Sequence, residues 1–284
     1  MLADMHTHSR FSPDADQNTE IEAMTRRAEA LGLCAITVTD HCDCNYWLPE
    51  SEGDYPEYQQ RDSMMFGSRD YALASIGAAY ALKERYPVLR CGIELGQLMQ
   101  APEEARLVAS DPRLDFVIGS LHMNAGKPDF YWIEYNKLDT SELHALLDSY
   151  FAEELETCKR GDFDVLGHLT YPLRYITGEF GIELDMRRYD DIIREIFGTL
   201  IDRGKGIEIN TSGLRQKYGQ PFPTLEYVKL YRSLGGEIIT LGSDAHRLGD
   251  IGAGIRECAE LASEAGFRFT ALFSRRRPEF IRLP

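Results

Sequence analysis

Six of the seven histidines in this chain lie in short polar motifs, and each motif follows an apolar run that is typical of a buried strand. Carboxylates end two of these runs in the same way. The motif residues are His6, His8, His41, Glu94, His122, His168, Asp244 and His246. Because parallel strands in a barrel present their carboxyl ends at one rim, such side chains can converge there on metal ions. The pattern favours a metal-dependent hydrolase.

The runs alternate with helix-like segments, which predicts a parallel α/β barrel of about seven β-α repeats. A capping box at Thr19 and Glu22 is expected to start the first helix. The predicted strands are Leu2–Met5, Leu33–Thr39, Val88–Ile93, Leu114–Ile118, Asp164–Leu166, Gly206–Ile209 and Glu237–Leu241. The predicted helices are 21–32, Asp70–Tyr86, Thr140–Lys159, Asp185–Arg203, Leu225–Leu234 and Asp250–Ala265. Phe267–Phe273 is expected to be a closing or edge strand.

Composition sets the size of the unit and excludes some partners. A chain of 284 residues with 43% hydrophobic residues can bury one large core, so we expect a single domain over residues 1–284. The net charge of -15 argues against a nucleic-acid or membrane surface, because such surfaces attract stripes of Lys and Arg. No secretory signal and no apolar run of roughly 18 residues is visible. The six dispersed cysteines then indicate reduced thiols in the cytoplasm.

The strongest local signals are two pairs of ligand-type residues spaced i and i+2 at strand ends. His6 and His8 form the first pair, and Asp244 and His246 repeat the same spacing. Alternate residues of a strand point to one face, so each pair can bind one metal ion. The Asp4 carboxylate is expected to orient one of the imidazole rings.

In order and spacing, these motifs resemble those of the PHP (polymerase and histidinol phosphatase) superfamily, and specifically its histidinol-phosphatase branch. The resemblance extends from residue 4 to residue 250 and includes the segments around Ser120–His122, Gly167–Pro172 and Glu208–Arg215. It implies a distorted TIM-like (β/α)7 barrel whose strands carry a trinuclear metal site at their C-terminal mouth. The expected cofactors are three divalent ions of zinc, manganese or iron.

Carried over onto this sequence, the resemblance implies three groups of metal ligands. They are His6, His8, Glu94 and Asp244 for the first metal, Glu94, His122 and His168 for the second, and Asp14, His41 and His246 for the third. Many relatives have histidine at the position of Asp14, and a carboxylate there shifts the preference toward harder ions such as manganese. Asp16 is an alternative ligand, and the sequence leaves the choice open.

Divalent metals lower the pKa of bound water toward neutrality, so we expect a metal-bound hydroxide to attack the phosphorus of a phosphate monoester. Glu94, as the bridging ligand, belongs to the expected catalytic set. The leaving alcohol needs a proton, for which Asp14 and Asp244 are alternatives beside a metal-bound water.

A phosphate ester also calls for arginine at the barrel mouth, because a guanidinium fits two phosphate oxygens. Arg174, Arg215 and Arg247 each follow a predicted strand end. Asn210 ends a further strand, where its amide could orient a ligand, bind substrate or simply form a turn. These four residues are the predicted phosphate- and substrate-binding set.

Two long polar stretches rich in aromatic residues, 42–67 and 120–138, stand where substrate loops are expected. Cys42 and Cys44 are interpreted as loop residues near the site rather than zinc ligands. His144 lies on a predicted helix, away from every strand end, and is expected to play no part in the site.

The favoured function is hydrolysis of L-histidinol phosphate to L-histidinol and phosphate in histidine biosynthesis. The alternatives are a PHP phosphoesterase acting on a nucleotide or sugar phosphate, a nuclease, and a non-catalytic metal-binding domain. The acidic charge disfavours the nuclease, and the complete ligand set disfavours the non-catalytic domain. An amidohydrolase-type barrel would commonly have a lysine on a middle strand, and Leu114–Ile118 contains none.

Overall fold

A computed structural model of the protein describes residues 1–44 and 69–284. Seven parallel strands follow one another around a barrel in chain order. An additional short strand, β3, follows β2 in the chain and pairs with the same neighbour, β4. The strands are β1 (Ala3–Thr7), β2 (Ala35–Val38), β3 (His41–Asp43), β4 (Leu89–Gly96), β5 (Phe116–Ser120), β6 (Val165–Leu166), β7 (Gly206–Asn210) and β8 (Ile239–Gly242). The backbone N–H of Asp244 donates to the His6 carbonyl at 2.7 Å, which brings β8 back to β1. The predicted distorted TIM-like barrel is confirmed.

Amphipathic helices cover the outside of the barrel. The first of them buries Ile21, Met24 and Ala28 at helical spacing against the sheet. The described α-helices are Ile21–Ala30, Arg69–Lys83, Pro102–Ala109, Thr140–Arg160, Asp190–Asp202, Ser212–Arg215, Leu225–Ser233 and Ile255–Glu264, and a π-helix spans Arg174–Glu179. Among the described residues, no helix is long and apolar enough to cross a membrane.

Helix starts account for most differences from the sequence-based prediction. The predicted capping box at Thr19 is wrong, because the Thr19 hydroxyl donates to the Asp16 carbonyl at 2.5 Å and Glu22 accepts from the Tyr86 hydroxyl at 2.6 Å. The predicted helix from Asp185 starts as a 3₁₀ turn over Met186–Tyr189.

Two further differences concern helix and strand ends. The last helix begins at Ile255 rather than Asp250, because Gly252 and Gly254 take left-handed φ values of 74° and 75° that interrupt a helix. Pro102–Ala109 and β3 were not predicted.

An antiparallel hairpin closes the N-terminal end of the barrel, which we call the floor. Its strands are β9 (Phe269–Ser274) and β10 (Arg277–Arg282). Ala271, Leu272 and Phe273 pack against the inward-facing residues near the strand starts, namely Ala3, Met5, Ala35, Phe116, Ile118 and Val165. The predicted strand at Phe267–Phe273 therefore exists with shifted bounds, and among the described residues it pairs with β10 rather than with the barrel.

A bulge in β1 determines which of its residues face the opposite end of the barrel, which we call the mouth. Asp4 pairs with Ile36 and Thr7 with Val38, so β1 uses one residue more than β2 over this interval. Such a bulge changes which residues face inward. Met5 therefore fills the inner core near the floor, while His6 still points into the barrel toward the mouth.

Candidate metal centre

The first predicted ligand group converges at the mouth. His6 Nε2 lies 3.4 Å from Glu94 Oε2 and 3.7 Å from Asp244 Oδ1. His8 Nε2 lies 3.2 Å from the same Asp244 oxygen. These atoms come from β1, β4 and the turn after β8, and all of the side chains are buried. Four donor atoms at this spacing can surround one small cation.

The second group shares Glu94 with the first. Glu94 Oε1 lies 2.9 Å from His168 Nε2 and 3.3 Å from His122 Nε2, while Oε2 faces His6 and His8. The Ser120 hydroxyl donates to Oε1 at 2.7 Å and holds the carboxylate in this orientation. Glu94 is therefore oriented to bridge two cations.

The third group lies on the more exposed side of the cluster. Asp14 Oδ2 is 3.1 Å from His246 Nε2 and 3.5 Å from His41 Nε2. Asp16, the alternative, turns its carboxylate toward Arg247 at 3.8 Å instead. The geometry therefore supplies the Asp14 carboxylate, and not that of Asp16, to the two histidines.

The donor atoms fit divalent cations better than they fit each other. Imidazole nitrogens face one another in three pairs, His6 with His8 at 3.0 Å, His122 with His168 at 3.3 Å, and His41 with His246 at 3.4 Å. Two such nitrogens can share a hydrogen bond only when one is protonated, whereas a cation accepts both lone pairs. Nitrogen and carboxylate donors in this mixture suit zinc, manganese or iron.

Two buried atoms of Glu94 and His41 also indicate that the centre suits divalent cations. Glu94 Oε2 and His41 Nδ1 are 2.8 Å apart, yet their mutual geometry is not that of a hydrogen bond, and both atoms are buried without a hydrogen-bond partner among the described residues. Buried polar atoms in native proteins normally have a partner. The centre is thus built to hold divalent metal ions.

A relay from Asp40 fixes the ring of His8. His8 Nδ1 lies 3.0 Å from the Ser12 hydroxyl, which donates to Asp40 Oδ1 at 2.8 Å. This network assigns the proton to Nδ1 and leaves the Nε2 lone pair for a metal ion. Burial, together with His246 and His41, also holds the pKa of His8 well below its usual value, which keeps the ring neutral.

Glu208 ties the first group to the second, and the sequence analysis missed it. Its Oε1 accepts from His6 Nδ1 at 2.7 Å, and its Oε2 accepts the backbone N–H of His168 at 2.9 Å. A Cβ at Gly242 would overlap both Glu208 Oε1 and His6, so glycine is required there. The orienting role predicted for Asp4 is wrong, because that carboxylate accepts the backbone N–H groups of Ser243 and Gly252.

Asp43 is a second residue that the sequence analysis missed. Its Oδ1 lies 3.0 Å from His122 Nδ1, so it orients His122 as Glu208 orients His6. Asp43 also groups with His41 and His122 as a set that could hold a metal ion. Gly96 makes this placement possible, because a Cβ there would overlap the Asp43 carboxylate.

The carboxylates of the centre are held in the ionised form. Burial by itself raises the pKa of Glu94, but His6, His122 and His41 outweigh burial and lower it well below the usual value. Asp244 behaves in the same way, because His6 and His8 more than offset its burial. Ionised carboxylates are the form that binds metal ions.

The three predicted arginines line a pocket of about 640 Å³ that opens onto the cluster. Arg174 lies over the rings of Tyr171 and Tyr175, at 5.8 and 5.4 Å from their centroids. Arg215 donates to the Ser243 carbonyl at 2.8 Å, and Arg247 is 71% exposed. Arg174 and Arg215 are thus held at the pocket wall, whereas Arg247 stands at its rim.

Asn210 lies beneath the cluster rather than in the pocket. Its amide donates to Glu208 Oε2 at 3.1 Å and to Asp244 Oδ2 at 3.4 Å, and its carbonyl accepts the Ser212 N–H at 3.0 Å. The side chain is fully buried. These contacts favour the ligand-orienting and turn-forming alternatives over direct contact with substrate.

The two predicted substrate loops differ in what the structure describes. Residues 45–68 lie outside the described residues. In the other loop, Asp129, Tyr131 and Trp132 line the pocket. Cys42 and Cys44 are buried next to the centre, and His144 contacts the Tyr189 hydroxyl at 2.9 Å, away from it.

A parallel barrel with histidines and carboxylates clustered at the C-terminal ends of its strands, beside an arginine-lined pocket, defines a metal-dependent hydrolase of the barrel class. The family model of the PHP domain matches residues 4–212, so this chain belongs to the PHP domain family.

Relatives with similar sequences extend over nearly the whole chain. A protein of Thermotoga maritima named "Probable histidinol-phosphatase" is 29% identical over 273 residues, 95% of each chain. One of Clostridium acetobutylicum with the same name is 27% identical over 270 residues, 94% of this chain and 95% of that one.

A solved structure gives the same fold. Histidinol phosphate phosphatase of Lactococcus lactis, in complex with zinc, L-histidinol and phosphate, superposes with a TM-score of 0.75 at 24% identity over 98% of each chain.

Proposed function

We propose that this protein is a metal-dependent phosphomonoesterase that hydrolyses L-histidinol phosphate to L-histidinol and phosphate. The observation that carries the proposal is the pocket in which Arg174, Arg215 and Arg247 stand beside the ligand cluster. The guanidinium group of arginine can bind two phosphate oxygens, and clustered metal ligands suit phosphate-ester hydrolysis. The names of the relatives from Thermotoga and Clostridium, and the substances bound to the Lactococcus enzyme, support this choice among phosphate esters.

The three ligand groups described above would hold three divalent ions. Divalent ions lower the pKa of coordinated water toward neutrality and neutralise charge on phosphoryl oxygens. Glu94 would keep two of them at a fixed separation, since its two oxygens face different histidine pairs. Glu208 and Asp43 would keep His6 and His122 turned toward them.

The remaining residues bind the ester and supply a proton. Arg174 and Arg215 would hold the phosphate, because their own contacts within the protein already fix their direction. Of the two predicted acids, Asp14 is the more exposed, at 57% of its side chain against 9% for Asp244, but His246 and His41 hold its pKa well below the usual value. Asp14 would therefore position a water that protonates the leaving oxygen rather than donate a proton of its own. The Tyr171 and Tyr175 rings would exclude water from one side of the reacting phosphate.

We further propose that residues 1–284 act as a single PHP-type unit and that the enzyme works in the cytoplasm. The barrel core and the floor cluster account for helices and strands from both ends of the chain, which supports a single unit. All six cysteines are free thiols, which suits a reducing compartment.

The test is phosphate release from L-histidinol phosphate and from a panel of nucleotides and sugar phosphates, with protein loaded with zinc or manganese. The expected result is a clear preference for histidinol phosphate that His122→Ala abolishes. His144→Ala is the matched control, since that histidine lies away from the centre.

Faster turnover of a nucleotide or sugar phosphate would keep the hydrolase and overturn the substrate. Absence of release from every ester, with metal bound, would overturn the enzymatic function itself.

A further inference from the structure

One carboxylate in the pocket, Asp129, takes no part in the metal centre, and unlike Asp250 it pairs with no arginine among the described residues. Asp129 follows β5 and lines the pocket, where its Oδ1 accepts the Tyr131 N–H at 2.8 Å and starts the turn Phe130–Trp132. Among residues 1–44 and 69–284, no Lys or Arg forms an ion pair with it. A carboxylate has about four acceptor positions, so the described residues use only a small part of the acceptor capacity of Asp129.

Aromatic side chains share the pocket with this carboxylate. Tyr131, Trp132, Tyr171 and Tyr175 line the same pocket, and Tyr131 packs edge-on against Trp132 and Tyr175 at centroid distances of 4.7 and 6.1 Å. The Asp129 side chain is half-buried in the wall of this pocket. Aromatic faces and an ionised carboxylate are together the features that bind organic cations.

The pocket presents charges of both signs. Arg174 lies against the Tyr171 and Tyr175 rings, and its charge opposes the rise in pKa that burial gives their hydroxyls. Asp129 acts on the same two hydroxyls with the opposite sign. A substrate with an anionic end and a cationic end would satisfy both charges, whereas a neutral alcohol phosphate would leave Asp129 without a partner.

We propose that Asp129, with Tyr131 and Trp132, binds the cationic group of the substrate alcohol and makes the enzyme selective for zwitterionic phosphate esters. The inference rests on the proposed function, since it assigns the part of the substrate that the metal centre and the arginines do not contact. Asp129 is a specificity residue in this scheme. It takes no part in breaking the P–O bond.

The experiment compares kcat/KM of the wild type and Asp129→Asn for four esters on metal-loaded protein. They are L-histidinol phosphate, O-phosphoethanolamine with only an ammonium group, 3-(imidazol-4-yl)propyl phosphate with only an imidazole, and propyl phosphate with neither. Because a hydrogen bond to a charged group is lost, kcat/KM for histidinol phosphate should fall roughly ten- to a hundredfold. Propyl phosphate turnover and metal content should stay the same. Whichever singly charged ester shares the loss identifies the cation that Asp129 contacts.

Glu134→Gln is the matched control. It removes the same charge from the same loop at a residue that pairs with Lys137 at 2.5 Å and does not line the pocket. It should leave all four values unchanged. Asp129→Glu, which keeps the charge, should retain the preference for cationic esters even where Asp129→Asn folds poorly.

An equal fall for all four esters, or a loss of metal, would overturn the inference, because Asp129 would then act on the centre itself. Unchanged selectivity in Asp129→Asn would overturn it as well. Failure of the wild type to hydrolyse histidinol phosphate would count against the proposed function alone. The ratio between phosphoethanolamine and propyl phosphate would still test Asp129.

Discussion

The buried carboxylates at the two ends of the barrel have different kinds of partner. At the floor, Asp115 pairs with Lys83 at 2.6 Å, and Asp164 pairs with Arg276 at 2.6 Å. Both carboxylates also accept backbone N–H groups of neighbouring strands. At the mouth, Glu94 and Asp244 face imidazoles that in turn face one another. The floor supplies its own cations, whereas the mouth is arranged for cations from solution.

Backbone strain does not distinguish the two ends. At the mouth, Gln97, Thr170 and Asp244 adopt left-handed φ values of 51°, 79° and 53°. At the floor, Arg275 and Arg276 do the same at 50° and 62°, in the tight turn of the hairpin. Such residues cost on the order of 1–3 kcal/mol each. What differs is the role of the strained residues. The turn at the floor delivers the cation for Asp164, whereas the strained residues at the mouth stand at or near the proposed metal ligands.

Glu94→Gln should have the largest effect, because it removes the one carboxylate that faces two histidine pairs. We expect kcat/KM for histidinol phosphate to fall about a thousandfold, comparable with the loss of a major electrostatic stabiliser. The protein should also bind fewer metal ions by elemental analysis. The rise in melting temperature that added zinc gives to the wild type should largely disappear. Full metal content with normal activity would show that Glu94 is not a bridging ligand.

Arg276→Ala tests whether a carboxylate at the floor depends on its protein cation. Removing the cation leaves Asp164 buried beside its remaining N–H partner, so the free energy of unfolding should fall by about 3 kcal/mol. Urea unfolding measures this loss, and the neighbouring exposed Arg277→Ala is the control. Activity per folded molecule and the stabilisation by zinc should match the wild type. A loss of metal affinity in Arg276→Ala would break the division between floor and mouth.

The sequence predicted the barrel and the mouth better than the floor. The predicted strands end just before His41, Glu94 and His168, after runs of apolar residues, and this signal needs no knowledge of distant contacts. By contrast, β3 is only three residues long and carries no periodicity. Arg276 lies more than a hundred residues from Asp164, and no local pattern links them.

Residues that orient the ligands were missed for a related reason. Glu208 stands between apolar neighbours within β7, and a charged residue in such a strand does signal a buried partner. The identity of that partner, His6, depends on barrel closure between the first and last strands. Sequence proximity alone favours Asp4. Only the fold shows that its carboxylate is used by backbone N–H groups.

Glu154 is a third kind of buried carboxylate, which forms no ion pair among the described residues. Both of its oxygens lack a hydrogen-bond partner among the described residues, and burial raises its pKa to about 8. The Tyr150 hydroxyl lies near it without the geometry of a hydrogen bond. The folded state therefore holds a proton on Glu154 that the unfolded chain releases near pH 4.5.

The contribution of Glu154 to the free energy of unfolding should accordingly be largest below pH 4.5 and should decline as the pH rises toward about 8. Glu154→Gln removes this titration. From pH 5 to pH 7 the wild type should lose roughly 2–3 kcal/mol of unfolding free energy relative to the variant. Urea unfolding at both values measures the difference, with Glu153→Gln on the same helix as the control. A difference between wild type and Glu154→Gln that is independent of pH would contradict the raised pKa.

Glu208→Gln should have the smallest of these effects, because it changes how ligands are held and leaves the ligands in place. Loss of an orienting carboxylate typically weakens metal binding by about ten- to a hundredfold. Since Glu208 contacts both His6 and the backbone of His168, two metal positions should weaken together in a competition with a chelator. Asp43→Asn, whose side-chain hydrogen bond among the described residues is to His122, should weaken one position. If Glu208→Gln instead lowered stability in the absence of metal as Arg276→Ala does, Glu208 would belong with the carboxylates of the floor, and the contrast between the two ends would no longer hold.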